Sequence, residues 1–199
     1  MIETAVEKRI IDDFCIAPMT LDVLPLVYAI ELSCYPKPWS YKSFVDEITQ
    51  NEHAYYVVTQ VGGKVVGYGG MWLILDEAHI TNIAVANNYR RRKFGERLLV
   101  HLLEQCLRAG ISAVYLEVRR YNLPAQRLYA RYLFRPMQVR EKYYQDNEED
   151  AVVLRISDLH SKAFIERFSE NRRLLNEWCL EEKVSVERNT FGGEKNCRN

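Results

Sequence analysis

The sequence predicts a mixed α/β domain with elements in the order βααβββαβαββ, ending near Ile156. Three observations carry that prediction. The stretch "GERLLVHLLEQCLRAG" repeats apolar residues at i, i+4 and i+8 in two adjacent rows, the pattern of an amphipathic helix. The stretches "AYYVVTQ", "KVVGYGGMWLIL", "HITNIAV" and "SAVYLEV" are the β-branched and aromatic runs expected of strands. A length of 199 residues with 48% hydrophobic content suits one domain with a sizeable core.

Each element has a local reason. Phe14–Pro18 reads as a short strand. Leu21–Cys34 reads as a helix with Leu21, Leu24, Val27, Tyr28 and Leu32 on one side. The two prolines of "YPKPWS" end it, and Ser40 caps a second helix over Tyr41–Thr49, with Phe44, Val45 and Ile48 inward. "VGGK" joins the next two strands as a hairpin. In the leucine-rich helix, Leu98, Leu102 and Cys106 form one row and Leu99, Leu103 and Leu107 the next, and Gly110 ends it. "NLPAQRLYARYL" is a helix with Asn122 as cap and Pro124 in its first turn. "FRPMQV" and "AVVLRI" are strands around the acidic turn "QDNEED". After Ile156 the character changes. Residues 157–199 read as a C-terminal helical appendage, charged and amphipathic, with a disordered tail in "NTFGGEKNCRN". Phe164, Phe168, Leu175 and Trp178 favour packing for that helix over exposure.

Composition weighs against several classes of function. The chain carries 27 basic and 27 acidic residues, so no direct nucleic-acid partner is expected. The five cysteines, Cys15, Cys34, Cys106, Cys179 and Cys197, are scattered and unpaired in spacing, which argues against a disulfide framework. The four histidines show no metal spacing, so no metal is expected. "MIETAVEKRIIDDF" has charges where a signal peptide needs an apolar run, and no run approaches the ~18 residues of a membrane span. A soluble cytoplasmic protein, without a membrane partner, is the expectation.

Four places could carry chemistry. The cluster Arg90, Arg91, Arg92 and Lys93 lies where a strand gives way to a helix near Gly95. A helix start has unsatisfied N–H groups and partial positive charge, which suits a phosphate. The plainer reading is a solvated basic turn. Glu117 sits near the end of an otherwise apolar strand, on the face of Ala113 and Tyr115, opposite Val114, Leu116 and Val118. It suits a general base, or an ion pair with Arg119 or Arg120. Tyr129 lies about two turns into the following helix, as core or as catalyst. Asn122 suits an N-cap.

Taken together, "YPKPWSYKSFVDEI", "HITNIAVANNYRRRKFGERLLVHLLEQ", "VYLEVRRYNLPAQRLYARYLF" and "REKYYQDNEEDAVVLRI" resemble the GNAT superfamily of acetyl-CoA-dependent N-acetyltransferases. The likeness is greatest to its ribosomal-protein-alanine branch. It covers about residues 14–156. The resemblance implies a mostly antiparallel sheet with a V-shaped splay between two central strands, and acetyl-CoA as co-substrate entering the splay. It implies that Ile83, Ala84 and Val85 offer backbone groups to the acetyl and pantetheine portion. It implies that Arg91, Arg92, Lys93, Phe94, Gly95 and Glu96 wrap the pyrophosphate. Glu117 takes the place of the general base, Tyr129 of the general acid, and Asn122 of a cofactor contact. Trp39, Tyr143 and Tyr144 fall in segments that line the peptide groove. Two positions depart from the family pattern. Lys93 stands where the loop usually has its first glycine, and Leu133 stands where the Tyr129 helix usually ends in glycine. A left-handed Leu133 costs ~1–2 kcal/mol, so a reshaped helix end is expected there.

The implied reaction is direct attack of an amine on the thioester. An α-amine, with pKa near 7.7–8.0, is roughly a tenth or more neutral at pH 7; a lysine amine near 10.4 is less than about a thousandth neutral. A protein N-terminus, as of an alanine-first small-subunit ribosomal protein, is therefore the expected acceptor. The alternatives are a small amine or antibiotic as acceptor, and a non-catalytic module binding RNA or protein.

Overall fold

The computed structural model describes residues 14–191, with side chains as far as Trp178. The strands are β1 (Phe14–Pro18), β2 (Ala54–Val61), β3 (Lys64–Ile74), β4 (Glu77–Val85), β5 (Ala113–Arg119), β6 (Arg135–Tyr144) and β7 (Glu149–Ile156). The helices are α1 (Leu24–Cys34), α2 (Tyr41–Thr49), α3 (Phe94–Arg108), α4 (Leu123–Arg131) and α5 (Lys162–Phe191). The strands form one sheet in the order β1-β2-β3-β4-β5-β7-β6. All neighbours are antiparallel except β4 and β5. The mixed α/β class and the mostly antiparallel sheet are as expected.

The parallel β4–β5 pairing runs only from Glu77 opposite Ala113 to Ile80 opposite Leu116. Beyond it the two strands do not pair with each other, and β4 carries an irregularity on its other edge. Met71 opposes Ile80 and Gly70 opposes Asn82, so Thr81 is the extra residue of a bulge, which bends and twists its strand. The Tyr56 hydroxyl hydrogen-bonds Thr81 Oγ1 at 2.9 Å. Its ring lies so close to Gly70 that a Cβ there would come within 2.0 Å of a ring carbon. Only glycine fits.

Leu98, Leu99, Leu102 and Leu103 of α3 are fully buried on one face of the sheet, in one core with Val57, Met71, Val114 and Leu116. Each such side chain contributes about 1.5–3 kcal/mol. On the other face, Leu24 and Val27 of α1 and Phe44 of α2 pack with Val58, Tyr68 and Ala84. Ser40 caps α2 as expected, its Oγ accepting from Ser43 N at 3.0 Å. Helix α1 starts at Leu24 rather than Leu21, with Pro25 in its first turn. Leu21 and Leu32 are exposed, at 48% and 54%, and Ile30 and Glu31 complete the buried stripe instead.

Leu133 corrects a second expectation. Its φ is +63°, and the helix end keeps the shape that a glycine would give it. Leu133 N–H donates to Ala130 O at 3.1 Å and Phe134 N–H to Tyr129 O at 3.2 Å. This is the paired-bond Schellman closure, with Phe134 folded edge-on against Tyr129 at 5.7 Å. The packing of Leu133 against the core offsets its backbone cost.

Helix α5 is capped by Ser161, whose Oγ accepts from Phe164 N at 3.3 Å. Phe164, Phe168 and Leu175 are buried in the same core as α3 and the sheet. Asn171 Nδ2 donates to Arg131 O at 2.7 Å, and Arg172 pairs with Glu104 at 3.0 Å. Asn189–Phe191, expected in the tail, are the last helical residues. The remaining tail (192–199) and the N-terminal stretch (1–13) lie outside the described residues. Among the described residues no helix is long and apolar enough to cross a membrane.

Candidate active site

The site begins where β4 leaves β5. Ala86 N–H donates to Val66 O at 2.9 Å, so the edge of β4 that Ala84 shares with Ala86 faces β3. Edges alternate along a strand, so Ile83 and Val85 turn their N–H and C=O groups into the splay. Side chains already reach this edge. The Tyr35 hydroxyl donates to Ile83 O at 3.1 Å, and Arg90 Nε donates to Val85 O at 3.1 Å. Ala84 points its backbone the other way and packs its side chain under α1 and α2.

The basic loop follows. Arg91 and Lys93 both have left-handed backbones, with φ of +67° and +64°. Lys93 thus takes the glycine-like conformation with a side chain present, strain of the kind stored at functional sites. It is the N-cap of α3, and no side chain caps that helix. The first-turn N–H groups of Phe94, Gly95 and Glu96 therefore lack intrahelical partners at the positive end of the dipole. A Cβ on Gly95 would meet only Val85, at 3.8 Å, so the glycine leaves this backbone uncovered. The cationic side chains turn elsewhere. Arg92 lies over the Tyr89 ring at 6.0 Å, Arg97 over Phe14 at 4.4 Å, and Lys93 Nζ bonds Glu96 at 3.1 Å. Phe94 anchors the loop by stacking on Phe14 at 5.7 Å.

Glu117 lies half-buried on the open face of β5, with Arg140 of β6 at 2.9 Å from its Oε1. Neither Arg119 nor Arg120 is its partner. Arg119 is held by Asp146 at 2.8 Å and Glu149 at 3.1 Å, and Arg120 by Asp150 at 2.7 Å. The acidic turn after β6 thus captures both arginines. Tyr129, partly buried on α4, has its phenol pushed up to about 12 by burial. The Tyr35 phenol is also raised, first by burial and then by Glu31, Tyr129, Cys34 and Tyr144. Burial raises Tyr144 too, with Arg119 opposing and Tyr143 and Glu117 adding. Tyr129 and Tyr144 thus contribute to the rise at Tyr35, and Glu117 to the rise at Tyr144.

Asn122 caps α4, its Oδ1 accepting from Ala125 N at 3.2 Å. Trp39 packs on Phe44 at 5.6 Å, and its backbone N–H donates to Glu31 Oε1 at 2.8 Å. Tyr143 and Tyr144 meet edge to face at 5.2 Å, with Arg119 over Tyr144 at 3.9 Å. Both belong to β6, which runs beyond Val139 to Tyr144. Among the described residues no group of three His, Cys, Asp or Glu is placed to hold a metal ion.

Sequence reasoning passed over Tyr35 and Glu31. Glu31 is buried and accepts from Trp39 N–H and the Tyr68 hydroxyl, so it ties the "YPKPWS" loop to α1 and β3. Burial raises its pKa, against those two hydrogen bonds. The available signal was an acid next to Ile30 on the buried side of an apolar helix. Tyr35 had no signal beyond its place beside the prolines.

Glu96 is 5% exposed and accepts from Lys93, from Arg131 Nη2 at 2.8 Å and from the Tyr132 hydroxyl at 2.9 Å. Burial alone would raise its pKa; Arg131, Lys93 and Tyr132 together lower it below the ordinary 4.5. A depressed carboxyl stabilises the fold fully above its unfolded pKa, and that contribution fades as pH falls through the folded value. The stability gap between wild type and Glu96→Gln, read as urea midpoints, is expected to be widest at neutral pH and to shrink below 4.5.

The chain belongs to the acetyltransferase (GNAT) family, whose pattern matches residues 24–133. It is accordingly an acetyl-CoA-dependent N-acetyltransferase. It is 40% identical over 136 residues to a Bacillus subtilis (strain 168) protein named as a candidate ribosomal protein bS18-alanine N-acetyltransferase, covering 68% of this chain and 90% of that one. It is 35% identical over 133 residues to the Escherichia coli (strain K12) ribosomal protein bS18-alanine N-acetyltransferase, covering 66% and 88%. The crystal structure of the ribosomal-protein-S18-alanine N-acetyltransferase from Escherichia coli superimposes with a TM-score of 0.69 at 31% identity, covering 75% of this chain and 97% of that one.

Proposed function

We propose that the protein acetylates the N-terminal α-amine of a protein, with the N-terminal alanine of ribosomal protein bS18 as its natural acceptor. The observation that carries this reading is the splay beyond Ile80, with Ile83 and Val85 facing into it. The names of the relatives at 40% and 35% identity support the acceptor. A cytoplasmic location suits both acetyl-CoA and such an acceptor.

The roles divide by position. Ile83 and Val85 hold the acetyl and pantetheine portion by backbone hydrogen bonds. The N–H groups from Arg91 to Glu96 receive the pyrophosphate, which needs no side-chain cation. Asn122 uses its Oδ1 for the cap, so its Nδ2 is the group assigned to the cofactor. Arg140 engages Glu117 Oε1, and we assign Oε2 to take the amine proton through a water. The amine nitrogen then bonds to the thioester carbon, the carbon–sulfur bond breaks, and the sulfur leaves as thiolate. Tyr129, its phenol raised to about 12, stays protonated and donates a hydrogen bond to that sulfur. An α-amine suits this site because a useful fraction is already neutral at pH 7. Trp39, Tyr143 and Tyr144 border the acceptor's path.

Acceptor competition tests the reading. An alanine-first peptide is expected to exceed a small polyamine or an aminoglycoside by ~10²-fold in kcat/KM. Preferential turnover of either small amine would transfer the activity to that class.

A further inference from the structure

We propose that Glu96 is the positioning residue of the phosphate loop, clamping Lys93 in its left-handed conformation and tying the loop to the end of α4. The inference rests on the reading of that loop as the acetyl-CoA site. Lys93 adopts φ +64°, ψ +2°, a conformation that a glycine would take without strain. Its own backbone preference opposes that state, so something outside the backbone must favour it. The ammonium of Lys93 bonds the Glu96 carboxylate at 3.1 Å, three residues on. Glu96 cannot follow the lysine if the loop relaxes, because Arg131 and Tyr132 fix it from α4. A buried carboxylate stripped of these donors is costly, which makes the cluster hold together.

The anchor has a further backing. Tyr132 is fully buried and meets Phe168 of α5 edge-on at 6.2 Å, and Asn171 of α5 bonds Arg131 O. Helix α5 lies outside the residues 24–133 that the family pattern matches. This chain therefore supports a non-glycine phosphate loop with a clamp from α4 and a helix behind it. The same α4 carries Tyr129, so loop and proposed acid share one support.

Calorimetric titration of the full chain with acetyl-CoA tests the clamp without any acceptor. Glu96→Gln is expected to weaken binding about ten-fold, equivalent to ~1.4 kcal/mol. In a Lys93→Gly background the same substitution is expected to cost less than about two-fold, because glycine needs no clamp. Lys93→Ala, which keeps the strain and loses the ammonium, should bind about ten-fold more weakly than Lys93→Gly. In turnover assays the Glu96→Gln effect should fall on KM for acetyl-CoA and not on kcat. Equal cost of Glu96→Gln in both backgrounds, or equal affinity of the alanine and glycine variants, overturns the clamp and leaves the acetyl-CoA site standing. Wild-type protein that binds no acetyl-CoA overturns both. Should Glu96→Gln fail to fold, the alanine–glycine comparison at Lys93 decides alone.

Discussion

Glu117→Gln is expected to lower kcat on an alanine-first peptide by ~10²–10⁴-fold, the range for loss of a positioned general base. Acetyl-CoA affinity should stay within about two-fold, so the loss falls on the chemical step. The substitution is close to isosteric, and its amide oxygen can still accept from Arg140, so the β5–β6 contact survives. What disappears is the oxygen able to take a proton. Arg119 and Arg120 are committed to Asp146, Glu149 and Asp150, so neither is free to neutralise or replace Glu117. Tyr129→Phe, a lost hydrogen bond to the leaving sulfur, should cost a further ~10²-fold in kcat on its own. Stopped-time assays at saturating acetyl-CoA measure both. Unchanged kcat in the two variants would remove the assigned roles.

Phe168→Ala is expected to destabilise the protein by ~3–5 kcal/mol, a large part of the ~5–15 kcal/mol that holds a typical domain. Phe168 is buried, stacks on Phe164 at 5.5 Å and meets Tyr132 edge-on. Its loss opens a cavity between α5 and the end of α4. Urea denaturation with a two-state fit reads the cost as a lower midpoint at an unchanged slope. A shift near zero would mean that α5 merely rests on the domain. The same result would weaken the case for α5 as support for the Glu96 cluster.

Most of the frame could be read from the chain because its signals are local. The two leucine rows of α3, Ser40, Asn122 and Gly110 each state their role within a few residues. The bulge at Thr81 was not legible, because it depends on Tyr56 reaching across β3 above Gly70. Strand β6 was read short because an edge strand exposed along its length has no apolar alternation to mark it. Leu133 misled for a different reason: a backbone penalty of a kcal/mol or two is visible in sequence, whereas the core packing that offsets it is not. The partner of Glu117 was likewise hidden. Arg119 and Arg120 are its neighbours in sequence, but antiparallel pairing brings the acids of the β6–β7 turn to them and Arg140 to Glu117. The candidate residues were found by their order along the chain, whereas the Tyr35 hydroxyl on Ile83 O joins residues 48 apart and shows only in three dimensions.

Acetyl transfer to a protein α-amine is expected at the β4–β5 splay. Mass spectrometry of two peptides incubated with the enzyme and acetyl-CoA tests it most directly. Both begin with alanine and contain one internal lysine, and one has its α-amine blocked. The account predicts a single acetyl group on the N-terminal alanine of the open peptide and none on the blocked one. Acetylation of the internal lysine in the blocked peptide, at a rate comparable to the open one, would contradict it.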